Sequence, residues 1–203
     1  MKNKAIFLDR DGVINEIVYH KEMGIVDSPF IVEQFKLIKD IDKGIFKFQE
    51  LGFNIIIISN QPGIAKNHHD ETTFEKIKEK MHKEFLKEGI KIDAEYYCFH
   101  HPDAVIKKYK KICNCRKPRP GMILSAAKDF DIDLSKSWMI GDGINDIKAG
   151  ISAGCKTILI GNLKCDICKI LEEENAKPNF VAENLYKASL IIEKERMHNG
   201  NIS

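Results

Sequence analysis

Short apolar blocks alternate with helical patterns along the chain. Two of the blocks, Ala5–Leu8 and Phe53–Ser59, are apolar almost throughout. Such runs are expected of strands that are buried on both faces of a parallel sheet. Four more short blocks predict further strands, at Glu95–Phe99, Trp138–Ile140, Thr157–Ile160 and Phe180–Val181.

Between these blocks, apolar residues recur at steps of three or four, which is the spacing of an amphipathic helix. The first apolar face runs from Ile38 to Leu51 and stops at Gly52. Asp70 is placed to cap a second helix, which stops at Gly89. Three later patterns predict helices that begin at Pro120 and span Ile144–Ala153 and Leu185–Arg196.

This alternation predicts an α/β fold, a doubly wound parallel sheet with helices on both faces. In such sheets the ligand lies at the carboxyl ends of the strands. Two stretches, Glu16–Phe30 and His100–Pro118, do not follow the pattern, and both are expected to overhang that edge because both follow strands. Neither is long enough to form a large cap domain, so we expect a single domain over residues 1–203.

The composition of the chain indicates to which classes of protein it can belong. A chain of 203 residues with 43% hydrophobic and 31% charged residues is typical of a globular protein, and a net charge of +2 gives no broad basic face for nucleic acid. No run of about 18 apolar residues predicts a membrane span, and the N-terminus lacks the pattern of a signal peptide. We therefore expect a cytoplasmic monomer that acts on a small molecule, with its six cysteines reduced or bound to metal.

Two acidic residues, Asp9 and Asp11, follow the first predicted strand, and Gly12 lets the chain turn just beyond them. Alternation along an extended chain places both carboxylates on the same side, where they repel each other unless a cation lies between them. A solvated loop with two acids is the structural alternative. A third acid, Asp142, follows the strand Trp138–Ile140, and together with Asp9 it would suit Mg²⁺, which prefers oxygen ligands.

Residues that suit a phosphoryl group also follow strands. Ser59 offers a hydroxyl group, and the backbone N–H groups of the turn after it can hold a phosphoryl oxygen. We predict that Asn60 and Gln61, in the same turn, contact the substrate. Lys117 precedes the helix at Pro120, where a fixed ammonium would neutralise phosphoryl charge. Taken alone, each of these residues also fits an ordinary turn or surface position.

The loop 98–118 contains the residues of a second metal site. Cys98 and His100 are spaced by one residue, twelve residues follow, and Cys113 and Cys115 are again spaced by one. Three thiols and one imidazole form a tetrahedral set that Zn²⁺ prefers, and four protein ligands leave no open position, so this site would be structural. His101 is an alternative fourth ligand, and free thiols beside a loop histidine are the alternative without metal.

The order of these motifs resembles that of the haloacid dehalogenase (HAD) superfamily of phosphatases, and the matching residues are Asp9-x-Asp11-Gly, Ser59, Lys117 and Gly-Asp142-x-x-x-Asp146. The resemblance implies that Asp9 is a nucleophile that forms an aspartyl-phosphate, and that Asp11 is first the general acid and then the general base. It also implies a Mg²⁺ ion held by Asp9, the backbone carbonyl of Asp11 and Asp142. Ser59 and Lys117 would stabilise the transferring phosphoryl group.

The loop 98–118 resembles that of one branch of this superfamily, the heptose-bisphosphate phosphatases, which carry a zinc loop followed by Cys-Arg-Lys-Pro. The histidinol-phosphate phosphatases have a similar but shorter loop, so the long span here favours the heptose branch. The resemblance implies a Mg²⁺-dependent sugar-phosphate phosphatase that cleaves heptose 1,7-bisphosphate at C7. The alternatives are a histidinol-phosphate phosphatase and a non-catalytic zinc-binding domain on the same scaffold. The resemblance also implies that Arg116 recognises substrate, and a guanidinium suits a second phosphate that does not react.

Three further features have open roles. Asp146 is expected to orient the lysine of the site or a water on the metal. His68 and His69 precede a helix cap and are expected to face solvent, with a contact to phosphate as the alternative. Cys165 and Cys168 are expected to be free thiols in a variable loop.

Overall fold

The protein is described by a computed structural model, which covers residues 2–161 and 175–200. Its strands are β1 (Ala5–Leu8), β2 (Val18–His20), β3 (Ile25–Asp27), β4 (Asn54–Asn60), β5 (Ala94–Cys98), β6 (Trp138–Gly141), β7 (Lys156–Ile160) and β8 (Phe180–Ala182). Its longer helices are α1 (Ile41–Glu50), α2 (Glu71–Lys87), α3 (Gly121–Asp129), α4 (Ile144–Ala153) and α5 (Leu185–Gly200). The Cys165 and Cys168 pair lies outside the described residues.

Six of the strands form one parallel sheet in the order β5-β4-β1-β6-β7-β8. The α/β fold predicted from the sequence is therefore confirmed. β1 lies between β4 and β6, and its last residue, Leu8, pairs with Ile57 on one side and Ile140 on the other. This register brings the carboxyl ends of three strands together at one edge of the sheet.

The sheet is covered by helices on both faces, which explains why its central strands are apolar throughout. Ile6 and Leu8 face the layer formed by α1, α2 and α5, whereas Phe7 faces the layer formed by α3 and α4. Because side chains alternate along a strand, a strand buried on both sides must be apolar at every position. β1 and the isoleucines of β4, Ile55 to Ile58, are fully buried.

The stretch Glu16–Phe30 differs from the expectation of an irregular loop. It contains an antiparallel hairpin, in which Val18 pairs with Asp27 and His20 pairs with Ile25. Each strand has only three residues and half-buried or exposed positions predominate, so no apolar alternation marks the hairpin in the sequence. The hairpin follows β1 and forms part of Glu16–Phe30, one of the two stretches predicted to overhang this edge.

None of the described helices combines the length and the apolar character that crossing a membrane requires.

Candidate active site

Asp9 lies where β1 ends, between the two strands that flank it. Its backbone N–H donates to the carbonyl oxygen of Ile140 at 2.9 Å, and its Oδ1 accepts a hydrogen bond from the backbone N–H of Arg10 at 2.7 Å. The side chain keeps 15% of its surface exposed. The carboxylate is therefore fixed by the sheet but still open to a small molecule.

Lys117 places a buried ammonium group beside Asp9. Its Nζ lies 2.9 Å from Asp9 Oδ1 and 2.6 Å from Asp146 Oδ1, and it donates to the carbonyl oxygen of Ile58 at 2.8 Å. Burial alone would lower the pKa of Lys117, but the carboxylates of Asp146 and Asp9 outweigh burial and raise it. The ammonium group is thus a fixed positive charge. Asp146 was expected to orient either the lysine or a water on the metal, and the structure shows its contact with the lysine.

Asn60, at the end of β4, fixes the backbone of the lysine. Its Nδ2 donates to the carbonyl oxygen of Lys117 at 3.0 Å, and its Oδ1 accepts from the Lys117 N–H at 3.0 Å. Both polar atoms of the amide are used in this pair. The structure therefore gives Asn60 a partner within the protein, and its contact with substrate stays a prediction.

Three carboxylates meet at this edge of the sheet. Oxygen atoms of Asp9, Asp142 and Asp146 lie within 4.8 Å of one another. Burial raises the pKa of Asp9 to about 7 and that of Asp142 to about 6, and the neighbouring Asp146 adds to both shifts. Gly12, with φ of +81°, packs so closely that a Cβ there would lie 2.0 Å from Asp142 Oδ2. Crowded carboxylates of this kind, with only one ammonium among them, fit a divalent cation.

The raised pKa values predict that Mg²⁺ binding depends on pH. Below about pH 6 both Asp9 and Asp142 hold protons in the metal-free protein, and a cation must displace them. We expect the apparent Mg²⁺ affinity to rise with pH and to level off above about pH 7. Isothermal titration calorimetry in buffers of different ionisation enthalpy will measure both the affinity and the protons released, and an affinity that does not change with pH would contradict the prediction.

Asp11 is held by three side chains, two from the turn after β1 and one from the turn after β4. Its Oδ1 accepts from Arg10 Nη2 at 3.0 Å and from Asn15 Nδ2 at 2.9 Å, and its Oδ2 accepts from Gln61 Nε2 at 2.6 Å. Gln61 Nε2 also donates to Ser59 Oγ at 3.0 Å. Gln61 is fully buried, so the structure ties it to Asp11 and Ser59, and its contact with substrate stays a prediction.

Arg10 is a functional candidate that the sequence did not reveal. Its residue exposure is only 1%, although arginine is rarely buried without a partner. In the sequence it occupies the unspecified position x of the motif Asp9-x-Asp11, and its partner Gln61 is far away in the chain. The only local signal is that a charged residue lies two positions after the end of the fully buried strand β1.

The two histidines after β4 do not face solvent as expected. The His68 ring lies 4.4 Å from the ring of Phe30, and the His69 ring lies 6.2 Å from it. His20 of the hairpin also stacks on the ring of Phe30, with the centroids 3.7 Å apart. His69 also packs against Gly63, where a Cβ would lie 2.4 Å from its Nε2. The histidines therefore join the hairpin to the loop after β4, and both are half-buried.

The four predicted zinc ligands come together. Single ligand atoms of Cys98, His100, Cys113 and Cys115 lie within 4.8 Å of one another. The Sγ atom of Cys98 is 3.5 Å from that of Cys113, and the His100 Nδ1 is 3.5 Å from Cys115 Sγ. Ligands about 2.3 Å from a tetrahedral zinc ion would be separated by roughly 3.8 Å, close to these values. His101, the alternative ligand, instead accepts a hydrogen bond from the Asp103 N–H.

Arg116 and Lys117 follow directly on this thiol cluster. Arg116 Nη1 donates to the carbonyl oxygen of His100 at 3.1 Å, so the cluster and the arginine share a segment. A cavity of about 320 Å³ adjoins them, and its lining includes the cationic residues Lys111, Arg116, Lys117 and Arg119. The loop thus brings a metal cluster, a buried lysine and a basic cavity to the same edge as Asp9.

The chain is similar to known phosphatases over most of its length. The HAD-hydrolase-like family profile matches residues 114–188. The D-glycero-beta-D-manno-heptose-1,7-bisphosphate 7-phosphatase of Photorhabdus laumondii is 37% identical over 151 residues, which is 73% of this chain and 75% of that protein. The D-glycero-alpha-D-manno-heptose-1,7-bisphosphate 7-phosphatase of Burkholderia mallei is 41% identical over 160 residues, which is 79% of this chain and 80% of that protein.

A solved structure shares the fold over nearly the whole chain. It is the D,D-heptose 1,7-bisphosphate phosphatase of B. bronchiseptica complexed with magnesium and phosphate, with a TM-score of 0.74 and 29% sequence identity over 95% of this chain and 99% of that one. The chain therefore belongs to the HAD superfamily of phosphoric monoester hydrolases, in the family of the heptose-1,7-bisphosphate 7-phosphatases.

Proposed function

We propose that this protein removes the phosphate at C7 of D-glycero-D-manno-heptose 1,7-bisphosphate through an aspartyl-phosphate intermediate, with Mg²⁺ as cofactor. The observation that carries the proposal is the ammonium of Lys117, 2.9 Å from Asp9 Oδ1, in a group of carboxylates that includes Asp142. This pairs a nucleophile with the positive charge that a phosphoryl group needs. The substrates in the names of the relatives support the choice of sugar.

Two displacements at phosphorus complete the reaction. A carboxylate oxygen of Asp9 attacks phosphorus, the bond from phosphorus to the C7 oxygen breaks, and Asp11 gives its proton to the leaving oxygen. Water then attacks the phosphorus, Asp11 takes a proton from that water, and the bond to Asp9 breaks. Ser59 and Lys117 hold the phosphoryl oxygens through both steps. Mg²⁺, held by Asp9, the Asp11 carbonyl and Asp142, would offset the charge of the phosphoryl group.

Arg116 is the residue proposed to bind the second phosphate. It lines the basic cavity of about 320 Å³ together with Lys117, whose ammonium contacts Asp9. A guanidinium group can donate two parallel hydrogen bonds to a phosphate. This feature favours a bisphosphate over a monoester with an uncharged tail.

The cluster of three thiols and His100 is proposed to hold a structural Zn²⁺ ion. The four residues supply all four positions of a tetrahedral site and leave none for substrate. In this role the ion orders the segment that carries Arg116 and Lys117. The metal thus acts on catalysis only through the position of these two side chains.

A substrate panel tests the proposal. We expect phosphate release from a heptose 1,7-bisphosphate with a kcat/KM far above that for histidinol phosphate, and dependence on added Mg²⁺ after chelation. Both anomers belong in the panel because the relatives differ in this respect. A preference of about 100-fold for histidinol phosphate would overturn the choice of sugar, and no release from any phosphate ester would overturn the enzyme itself.

A further inference from the structure

We propose that Arg10 and Gln61 form a clamp that holds the Asp11 carboxylate in the orientation needed for proton transfer, which makes Arg10 a positioning residue of the reaction. The inference rests on the proposed function, because it concerns the residue assigned there as general acid and base. It assigns a role to a buried arginine that the mechanism above does not otherwise use.

The three side chains form a closed ring of hydrogen bonds. Arg10 Nη2 donates both to Asp11 Oδ1, at 3.0 Å, and to Gln61 Oε1, at 2.9 Å. Gln61 Nε2 closes the ring by donating to Asp11 Oδ2 at 2.6 Å. The exposures are 1% for the Arg10 side chain and 14% for that of Asp11, so the ring is shielded from water but the carboxylate still reaches the site.

The ring leaves the two carboxylate oxygens unequal. Oδ1 accepts from Arg10 Nε at 3.3 Å, from Arg10 Nη2 and from Asn15 Nδ2, whereas the one side-chain donor to Oδ2 among the described residues is Gln61. A carboxylate oxygen has two lone pairs, so Oδ2 retains one. The geometry therefore points to Oδ2 as the oxygen that exchanges the proton with the leaving oxygen and then with water.

Stability alone does not explain a buried arginine at this position. Burying a charge is costly, and a buried ion pair is weak evidence for stabilisation. Arg10 is partly compensated by Asp11 and by the ring of Phe74, whose centroid lies 5.8 Å from its Cζ. Burial of Arg10 instead fixes the orientation of the Asp11 carboxylate. This orientation matters because small misplacements of a catalytic group reduce rates strongly.

The test compares two substrates that differ in their need for an acid. A sugar phosphate has a basic leaving oxygen that must be protonated, whereas p-nitrophenyl phosphate has a leaving group that departs without a proton. Arg10→Lys keeps the positive charge but cannot bridge Asp11 and Gln61 as the guanidinium does. We expect kcat/KM for the sugar phosphate to fall roughly 100-fold, while kcat/KM for p-nitrophenyl phosphate, which reports only the first chemical step, changes less than about threefold.

The second chemical step provides an independent readout. Hydrolysis of the aspartyl-phosphate needs Asp11 as base with either substrate, so kcat for p-nitrophenyl phosphate should fall and a burst of p-nitrophenol should precede the slow steady state. Gln61→Met should shift these quantities in the same direction, and adding Arg10→Lys to it should have little further effect if the two residues act as a unit.

Controls separate this inference from the proposed function. Arg196→Lys changes an exposed arginine whose Nη1 donates to the carbonyl oxygen of Leu51 at the opposite edge of the sheet, and it should leave both substrates unaffected. Equal losses of kcat/KM on both substrates, or no loss, would overturn the clamp. If Arg10→Lys does not fold, Gln61→Met decides by the same criteria. Wild-type protein that cleaves neither substrate would overturn the proposed function and the clamp with it.

Discussion

Replacing Asp9 with Asn should reduce phosphate release by roughly 10⁴-fold or more, because removal of the proposed nucleophile leaves only binding and electrostatic effects. The amide keeps the size of the carboxylate, so the contacts at the end of β1 should persist. Steady-state release of inorganic phosphate measures the loss. Trapping with beryllofluoride and Mg²⁺, which mimics an aspartyl-phosphate, should succeed in the wild type and fail in the variant.

The same substitution is expected to reduce activity but not stability. The pKa of Asp9 is raised to about 7, so its ionised form is unfavourable in the folded, metal-free protein. The stabilisation from a protonated Asp9 is fully present below the pKa of an unfolded aspartate, about 4, and is lost as the pH rises through about 7. Without Mg²⁺ at about pH 8, Asp9→Asn should therefore unfold at or above the wild-type temperature.

A matched control distinguishes loss of the nucleophile from general damage. Asp129→Asn changes an exposed carboxylate at the end of α3 that accepts a hydrogen bond from the Tyr96 hydroxyl. It should retain full activity. An Asp9→Asn protein with wild-type turnover would exclude the covalent mechanism, and one that is inactive because it is unfolded would show a lower unfolding temperature than this control.

Replacing Cys113 and Cys115 together with Ser should remove the proposed zinc ion and lower the unfolding temperature. Structural zinc sites in small peptides contribute about 10–16 kcal/mol of apparent binding free energy, which becomes folding free energy. Phe99, Ala104, Ile106 and Tyr109 of the loop 98–118 pack in an apolar cluster, so the ion is expected to order mainly the segment around Cys113 and Cys115. Because Lys117 comes two residues after Cys115, turnover should fall as well.

Metal analysis checks this prediction directly. Wild-type protein should contain about one zinc per chain, and the double variant should contain none. Cys155→Ser is the matched control, since Cys155 is a buried thiol outside the cluster and its loss should leave the zinc content unchanged. Carefully prepared wild-type protein without zinc, or a double variant that keeps it, would contradict the assignment.

Much of the fold was predictable because the central strands are buried on both faces. Their apolar runs are visible without knowledge of any partner, and β1 matches the predicted strand Ala5–Leu8. The hairpin β2–β3 was not predicted, since its short strands are stabilised by contacts such as that between His20 and Phe30 rather than by a local pattern. Tertiary contact, not local propensity, decides the structure there.

The candidate site likewise has features that could be predicted from the sequence and features that could not. Residues that follow strands could be placed at one edge from the topology alone, and Asp9 and Asp142 indeed lie within 4.8 Å of each other. The sequence could not show which polar side chains form their hydrogen bonds within the protein rather than with substrate. Gln61 looks in the sequence like any turn residue, and only the structure shows its contacts with Asp11 and with Arg10, the latter 51 positions away in the chain.

The central position of β1 has a consequence for how the enzyme folds during synthesis. Residues 6 and 138 pair with each other across one ladder, so the chain must be synthesised as far as Asp142 before its first motif meets its last. A ribosome-bound chain that ends before β6 has every residue up to Lys117 and yet lacks Asp142, which is proposed to share a Mg²⁺ ion with Asp9. Pairings this distant also slow folding, and catalytic competence is therefore expected to emerge late, with the whole sheet, rather than in stages.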